Sequence, residues 1–290
     1  MTTNIVLGTA TPGGGFPLYG GAFADAINET DPALHVEPRN TKGSTENIPL
    51  LEAGDLDIAL VTGEPAYEAW EGIGRERSPL KIITAMYSTA GTFIVRGDST
   101  ARSISDLKGK PVAFGAKGSG LTILSRYVLD GLGLDQVKDF QAIYLDKAGD
   151  GPAMVLDGRA AALWGGGVGW PGFAAVAQAG GRFIAPNAEE ATRIRAKHSF
   201  LKALTLPAGS YPGQTAPVAS VGSWSFVLAR PTLPDDTAYA LARAVDKSRA
   251  ALAKRLTQAA ETTMQNTVAA APRPELIHPG VQKYLKEIGL

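Results

Sequence analysis

Apolar and polar positions switch between two periods along the first two-thirds of the chain. Ile5-Val6-Leu7 is a short apolar run that reads as a strand. Phe16, Tyr19, Phe23 and Ile27 follow at helical spacing and predict a helix from about Phe16 to Asn28. Leu34–Pro38 alternates apolar with polar and predicts a second strand. A helix opening near Ser44, with Glu46 in its first turn and Ile48 and Leu51 facing inward, ends at Gly54. Asp57–Val61 reads as a buried strand, and Lys81–Tyr87 and Thr92–Arg96 as two more.

The second half repeats the plan. Lys110–Phe114 is a strand, and Leu121, Leu124 and Val128 mark one face of the helix after it. Gln141–Leu145 is a strand, a helix runs to Asp157-Gly158, and Ala160–Trp164 is the next strand. Val218–Leu228 is long and extended, Pro234–Arg255 is a helix, and Val281–Ile288 closes the chain as another. Alternation of strand and helix predicts an α/β fold with mainly parallel sheets. The repeated order predicts two lobes, one from 1–91 with 227–290 and one from 92–226.

Two Gly-rich loops fall where a strand gives way to a helix. One is Gly8-Thr9-Ala10-Thr11-Pro12-Gly13-Gly14-Gly15; the other is Gly115-Ala116-Lys117-Gly118-Ser119-Gly120. A helix start presents unpaired N–H groups and the positive end of the dipole, and so attracts anions. Gly lets the backbone approach a ligand closely. Two such loops in similar halves predict a ligand clamped between two lobes by a hinge closure.

Composition narrows the class. The 290 residues are 44% hydrophobic and 19% charged, with 34 Gly and no Cys, and Lys+Arg and Asp+Glu balance at 28 each. Without Cys there are no disulfides, thiol nucleophiles or Cys-held metals. No basic run interleaves with aromatics, so nucleic acid is not an expected partner. No apolar stretch reaches the roughly 18 residues of a membrane span. His35, His198 and His278 lack metal-ligand spacing, and neither a metal nor a cofactor is expected. A phosphate-binding Gly-x-x-x-x-Gly-Lys-Ser/Thr loop, a Gly-x-Ser-x-Gly elbow and a dinucleotide fingerprint are all missing, which argues against an enzyme. The chain opens Met1-Thr2-Thr3-Asn4 and enters a strand at once. The expectation is either a cytoplasmic protein or one whose leader has been cut away.

Seven segments, in order, resemble the TAXI family of solute receptors, the binding proteins of one class of TRAP transporters. They are Gly8-Thr9 through Gly13-Gly14 and Gly20; Thr41–Asn47; Leu51-x-x-Gly54-x-x-Asp57-x-Ala59; Asp106–Lys110; Gly118-Ser119-Gly120; Leu206–Gln214; and His278–Gly289. The resemblance spans nearly the whole chain. It implies the two-lobed type II periplasmic binding fold, export to the periplasm, a small organic carboxylate ligand, a TRAP permease as membrane partner, a monomeric receptor and no catalysis. A cytoplasmic ligand sensor of the same fold is the alternative. The chain departs from the family pattern at Phe16-Pro17, where Tyr-Tyr is usual, and at Ala161, where Asp is frequent. It also carries an unusual Trp164–Trp170 loop.

The candidate ligand residues are Thr9, Thr11, Gly13, Gly14, Phe16, Ser44, Tyr87, Lys117, Ser119, Gly120, Trp164 and Trp170. Thr9–Gly15 offers hydroxyls and backbone N–H groups to a carboxylate. Ser44 either caps its helix or reaches the ligand. Lys117, Ser119 and Gly120 form a second anion site, unless Lys117 is a solvated loop charge. Trp164 and Trp170 either wall the cleft or pack the hinge. Phe16, Tyr19 and Tyr87 read as core before site. With no Arg in either loop to clamp a second charge, and with two Trp as a wall, the expected ligand is a monocarboxylate with an apolar part.

Overall fold

The computed structural model describes residues 2–290. The chain divides into two compact units. Unit one comprises the chain up to Ala10, Phe16–Tyr87 and Trp224–Leu290; unit two comprises Thr11–Gly15 and Ser88–Ser223.

Unit one is built from β1 (Thr3–Gly8), α1 (Gly15–Thr30), β2 (Leu34–Arg39), α2 (Ser44–Ala53), β3 (Ile58–Val61) and α3 (Gly63–Glu71). It also takes the first part of β4 (Lys81–Val95). β1 runs parallel to β2 and to β3. The α/β class expected from the alternating pattern is the class observed. Strand residues alternate between faces, and the core is sorted accordingly. Ile58 and Leu60 enter a cluster with Tyr19, Phe23 and Ile27, while Ala59 and Val61 enter one with Leu51, Leu56 and Trp70.

Unit two holds the rest of β4, then β5 (Pro111–Ala116), α4 (Gly120–Gly131), β6 (Gln141–Leu145), α5 (Gly151–Leu156), β7 (Ala162–Gly166) and α6 (Pro171–Gln178). β8 (Arg182–Ile184), α7 (Ala188–Lys197), β9 (Lys202–Leu206) and the start of β10 (Val218–Ala229) complete it. β5 is parallel to β6 and β7, while β4 is antiparallel to β7 and β8. The same alternation sorts this core: Val112 and Phe114 face one cluster with Trp164, and Ala113 faces another with Trp170 and Phe173. β10 then returns to unit one, where Phe226–Ala229 pair antiparallel with β3. Helices α8 (Asp235–Arg255), α9 (Met264–Ala270) and α10 (Pro279–Glu287) follow.

Three local expectations need correction. The two strands read at Lys81–Tyr87 and Thr92–Arg96 are one strand, β4, which continues through Ser88–Gly91. The small residues there are fitted to close neighbours. A Cβ on Gly91 would lie 2.6 Å from the Trp164 ring, and one on Gly222 would lie 1.7 Å from the Thr89 carbonyl oxygen. Ser44 is not the cap of α2: Gly43 occupies that position without a side-chain bond, and Ser44 is the first helical residue. α3, α6, α7, β8 and β9 add elements that the pattern alone did not assign. Among the described residues no helix is long and apolar enough to cross a membrane, and no cluster could hold a metal ion.

Candidate functional site

The parallel strands of each unit end in loops that lead into helices, the place where open α/β sheets receive ligands. After β1, Thr9 is buried at 1% exposure and fully engaged. Its N–H and its hydroxyl both donate to the Arg39 carbonyl, at 2.9 and 3.1 Å. Its own carbonyl accepts from Asn47 Nδ2 at 2.8 Å and from Thr41 Oγ1 at 3.2 Å. Asn47 is fully buried and also donates to the Leu60 carbonyl. Thr9 thus lacks a free donor to offer an anion, and its role is to tie β1 to the start of α2.

Two residues later the situation reverses. Thr11 Oγ1 accepts from the Ala148 N–H at 3.2 Å. Among the described residues its own hydroxyl proton has no acceptor, and the Gly13 N–H has none either. Gly13 sits at φ 84° directly over Gly149; a Cβ there would fall 2.6 Å from the Gly149 Cα. Only Gly fits a positive φ at such a close approach. Gly14 closes the turn by donating to the Thr11 carbonyl. The Thr11 hydroxyl and the Gly13 N–H are therefore uncommitted donors two residues apart on a loop seated in unit two, where the Thr11 and Gly15 N–H groups also find no acceptor among the described residues.

Ser44 is fully buried, and its Oγ accepts from the Thr62 N–H at 3.1 Å, joining α2 to the end of β3. Glu46 accepts from the Lys42 N–H, consistent with a carboxylate placed at a helix start. Phe16 packs on the unit-one core. Tyr87 is buried and meets Tyr19 edge-on at 5.5 Å. Tyr19 in turn shares a hydrogen with Thr262 at 2.9 Å, and burial pushes its phenol far above the ordinary range.

The second Gly loop is closed on itself. Ser119 caps α4 by accepting from the Leu121 N–H, while its N–H donates to the Ala116 carbonyl. Gly120 is the buried first residue of that helix. Lys117 pairs with Asp146 at 2.8 Å, both largely exposed, and this hydrogen bond holds the Asp146 carboxyl below the usual carboxylate range. Lys117 is thus a largely exposed loop charge with an acidic partner.

The two Trp are core residues, which corrects the expectation of a ligand wall. Trp164 is completely buried, donates from Nε1 to the Leu121 carbonyl at 2.8 Å and packs edge-on against Phe93 at 4.7 Å. Trp170 is 6% exposed, and its ring lies over Gly165 and Gly172. The sheet that carries Trp164 is covered on both faces, so its apolar residues pack inward. Sequence reasoning gave no role to four residues that shape these loops. Asn47 and Tyr211 were quoted only as motif members, and the Ala148-Gly149 turn gave no signal beyond a Gly after β6.

The fold is that of the periplasmic-type substrate-binding proteins. The chain matches the periplasmic aliphatic sulphonate binding protein SsuA from Escherichia coli with 19% identity and a TM-score of 0.54, covering 99% of this chain and 79% of that one. It matches a TctC solute binding protein from Polaromonas with 16% identity and a TM-score of 0.53, covering 90% and 89%. It also matches the alkanesulfonate-binding protein SsuA from Xanthomonas axonopodis pv. citri, bound to MOPS, with 18% identity and a TM-score of 0.52, covering 94% and 86%. These likenesses carry the fold. The NMT1-like family model matches residues 7–289, and the chain belongs to that family.

Proposed function

We propose that this protein is an extracytoplasmic solute receptor that binds a small, singly charged organic acid, delivers it to a TRAP-type membrane permease and catalyses nothing. The observation that carries the reading is the pair of uncommitted donors, the Thr11 hydroxyl and the Gly13 N–H, on a loop at a strand end. Two such donors suit the two oxygens of one carboxylate. No Arg stands in either Gly loop, and Lys117 is already neutralised by Asp146. A second ligand charge would find no bidentate partner in these loops. With Trp164 and Trp170 buried in the core, the case for an aromatic ligand body falls away, and the single charge is what remains. Two structural neighbours are named for sulfonates, which are likewise singly charged, and this supports including one in the test. The seven TAXI-like segments support the permease partner.

The test is calorimetric titration with glutamate, 2-oxoglutarate, succinate, a short aliphatic monocarboxylate, an aromatic monocarboxylate and an alkanesulfonate. One of the singly charged acids binds most tightly, and Thr11→Val weakens it about tenfold, the loss of a hydrogen bond to a charged group. Tight binding of succinate with no response to any monoacid would contradict the ligand class. Turnover of any of these compounds would contradict the receptor reading.

A further inference from the structure

The segment after β7 has few side chains of its own to fix it, apart from the buried Trp170 ring at its end. It reads Gly167-Val168-Gly169-Trp170, following Gly165-Gly166 at the end of β7, with φ of 89° at Gly167 and 70° at Gly169. Such a backbone loses more freedom on ordering than any other, so something outside it must hold it. One atom does: the Tyr211 hydroxyl donates to the Gly167 carbonyl at 2.5 Å and accepts from the Trp170 N–H at 2.8 Å. Tyr211 is buried, with its ring 5.7 Å from Phe173 and 5.3 Å from Phe183. The stretch that presents it, between β9 and β10, is tied by its own hydrogen bonds. Gly209 N–H donates to the Gln214 carbonyl, and Gln214 Nε2 donates to the carbonyls of Pro207 and Ala216. Tyr211 is therefore a fixed post, and the glycine loop is what it fixes.

We propose that Tyr211 is a positioning residue for the solute site, its one hydroxyl oxygen clamping both ends of the Gly167–Trp170 loop at the strand end beside the Ala148-Gly149 turn. The inference rests on the solute-receptor reading above. The Ala148–Asp150 turn packs against α6, whose cap is Trp170. The same turn seats Thr11 and Gly13. A loosened Gly167–Trp170 loop would therefore loosen the floor under the two ligand donors, without removing any group that touches ligand.

Tyr211→Phe keeps the ring packing and removes only the oxygen. Amide hydrogen exchange of Trp170, whose donor loses its partner, rises about tenfold or more, while amides of β1 and β5 keep their protection. The tightest acid of the panel loses about tenfold in affinity, mainly through faster release, and the melting temperature falls modestly because two buried backbone groups lose their partner. Phe183→Leu disturbs the same aromatic cluster but keeps the oxygen. It lowers the melting temperature and leaves Trp170 exchange and acid affinity unchanged. Unchanged Trp170 exchange in Tyr211→Phe overturns the proposal. So does a rise spread evenly over unit two, or parent-like affinity once the loop is loosened. If no acid binds the parent protein, the receptor reading fails, and the proposal fails with it as a statement about a solute site. The exchange data would then still report whether the clamp itself exists.

Discussion

The loops after β1 and after β5 share a sequence signature, yet they spend their hydrogen-bonding groups to different extents. The loop after β5 turns inward on its own helix. Ser119 caps α4, the Thr122 hydroxyl returns to the Ser119 carbonyl, and Trp164 fastens the Leu121 carbonyl from below. The loop after β1 is anchored only at its root, where Asn47, Thr41 and Arg39 hold Thr9. Beyond the root it rests on Ala148 and Gly149 with several donors unspent, the Thr11 hydroxyl and the Gly13 N–H among them. A Gly-rich strand-to-helix turn is therefore a permission rather than a site. What decides is whether a cap residue has already consumed the donors. In the second loop Ser119 takes the Leu121 N–H and leaves the Gly120 N–H without an acceptor among the described residues, while Pro12-Gly13-Gly14 has no capping side chain at all in the first.

The comparison can be broken most severely at its anchors. Trp164→Ala removes a fully buried ring and the Nε1 bond to Leu121, and lowers unfolding free energy by about 3–5 kcal/mol in urea titration. A loss below about 1 kcal/mol would return Trp164 to the role of a ligand wall. Asn47→Ala strips a donor from the buried carbonyls of Thr9 and Leu60 and costs about 1–3 kcal/mol, with Thr9 amide exchange rising. Ser119→Ala removes a cap and costs about 1 kcal/mol.

The two units also differ in how acid reaches them. His278, in unit one, is buried and caps α10 through Nδ1, and burial holds its imidazole neutral below the ordinary range. The unfolded chain takes up that proton first as pH falls. The stability from His278 is therefore complete above the ordinary imidazole range and is lost as pH drops through it. In unit two, hydrogen bonds from Lys197 and then His198 hold the Asp130 carboxyl below its usual range. That contribution is complete above the usual carboxylate value and is lost only as pH falls through the lowered one. Urea titrations between pH 8 and pH 5 show a falling stability that flattens in His278→Asn; an unchanged slope in that variant contradicts the assignment. The smallest effect belongs to Lys117→Ala, whose exposed partner leaves the melting temperature unmoved. A clear drop there would show that the second loop depends on its charge pair.

Much of the fold was written in periodicity. Ile58 to Val61 is continuously apolar because β3 is covered on both faces, and α1 follows its 3.6-residue spacing through Tyr19, Phe23 and Ile27. The reading failed where context overrides pattern. Ser88–Gly91 looks like a break but stays in β4, because close neighbours demand small residues there. α7 is mostly polar with one buried residue, Ile194, so its apolar stripe is too thin to register. At the site, residue types were legible and commitments were not. Thr9 and Thr11 are indistinguishable as letters, and only the distant Arg39 and Ala148 separate the spent hydroxyl from the free one. Tyr211 lies 41 residues from the Trp170 amide it holds, a separation that no local pattern spans.

The central claim is that an acid is taken by the first loop and not by the second. Amide nitrogen–proton spectra, recorded while the tightest acid of the panel is titrated in, test it directly. The account predicts saturable shifts at Gly13, Gly14 and Ala148, with the Lys117–Gly120 amides staying still. Shifts confined to Lys117–Gly120, or no saturable shift with any acid, would contradict it.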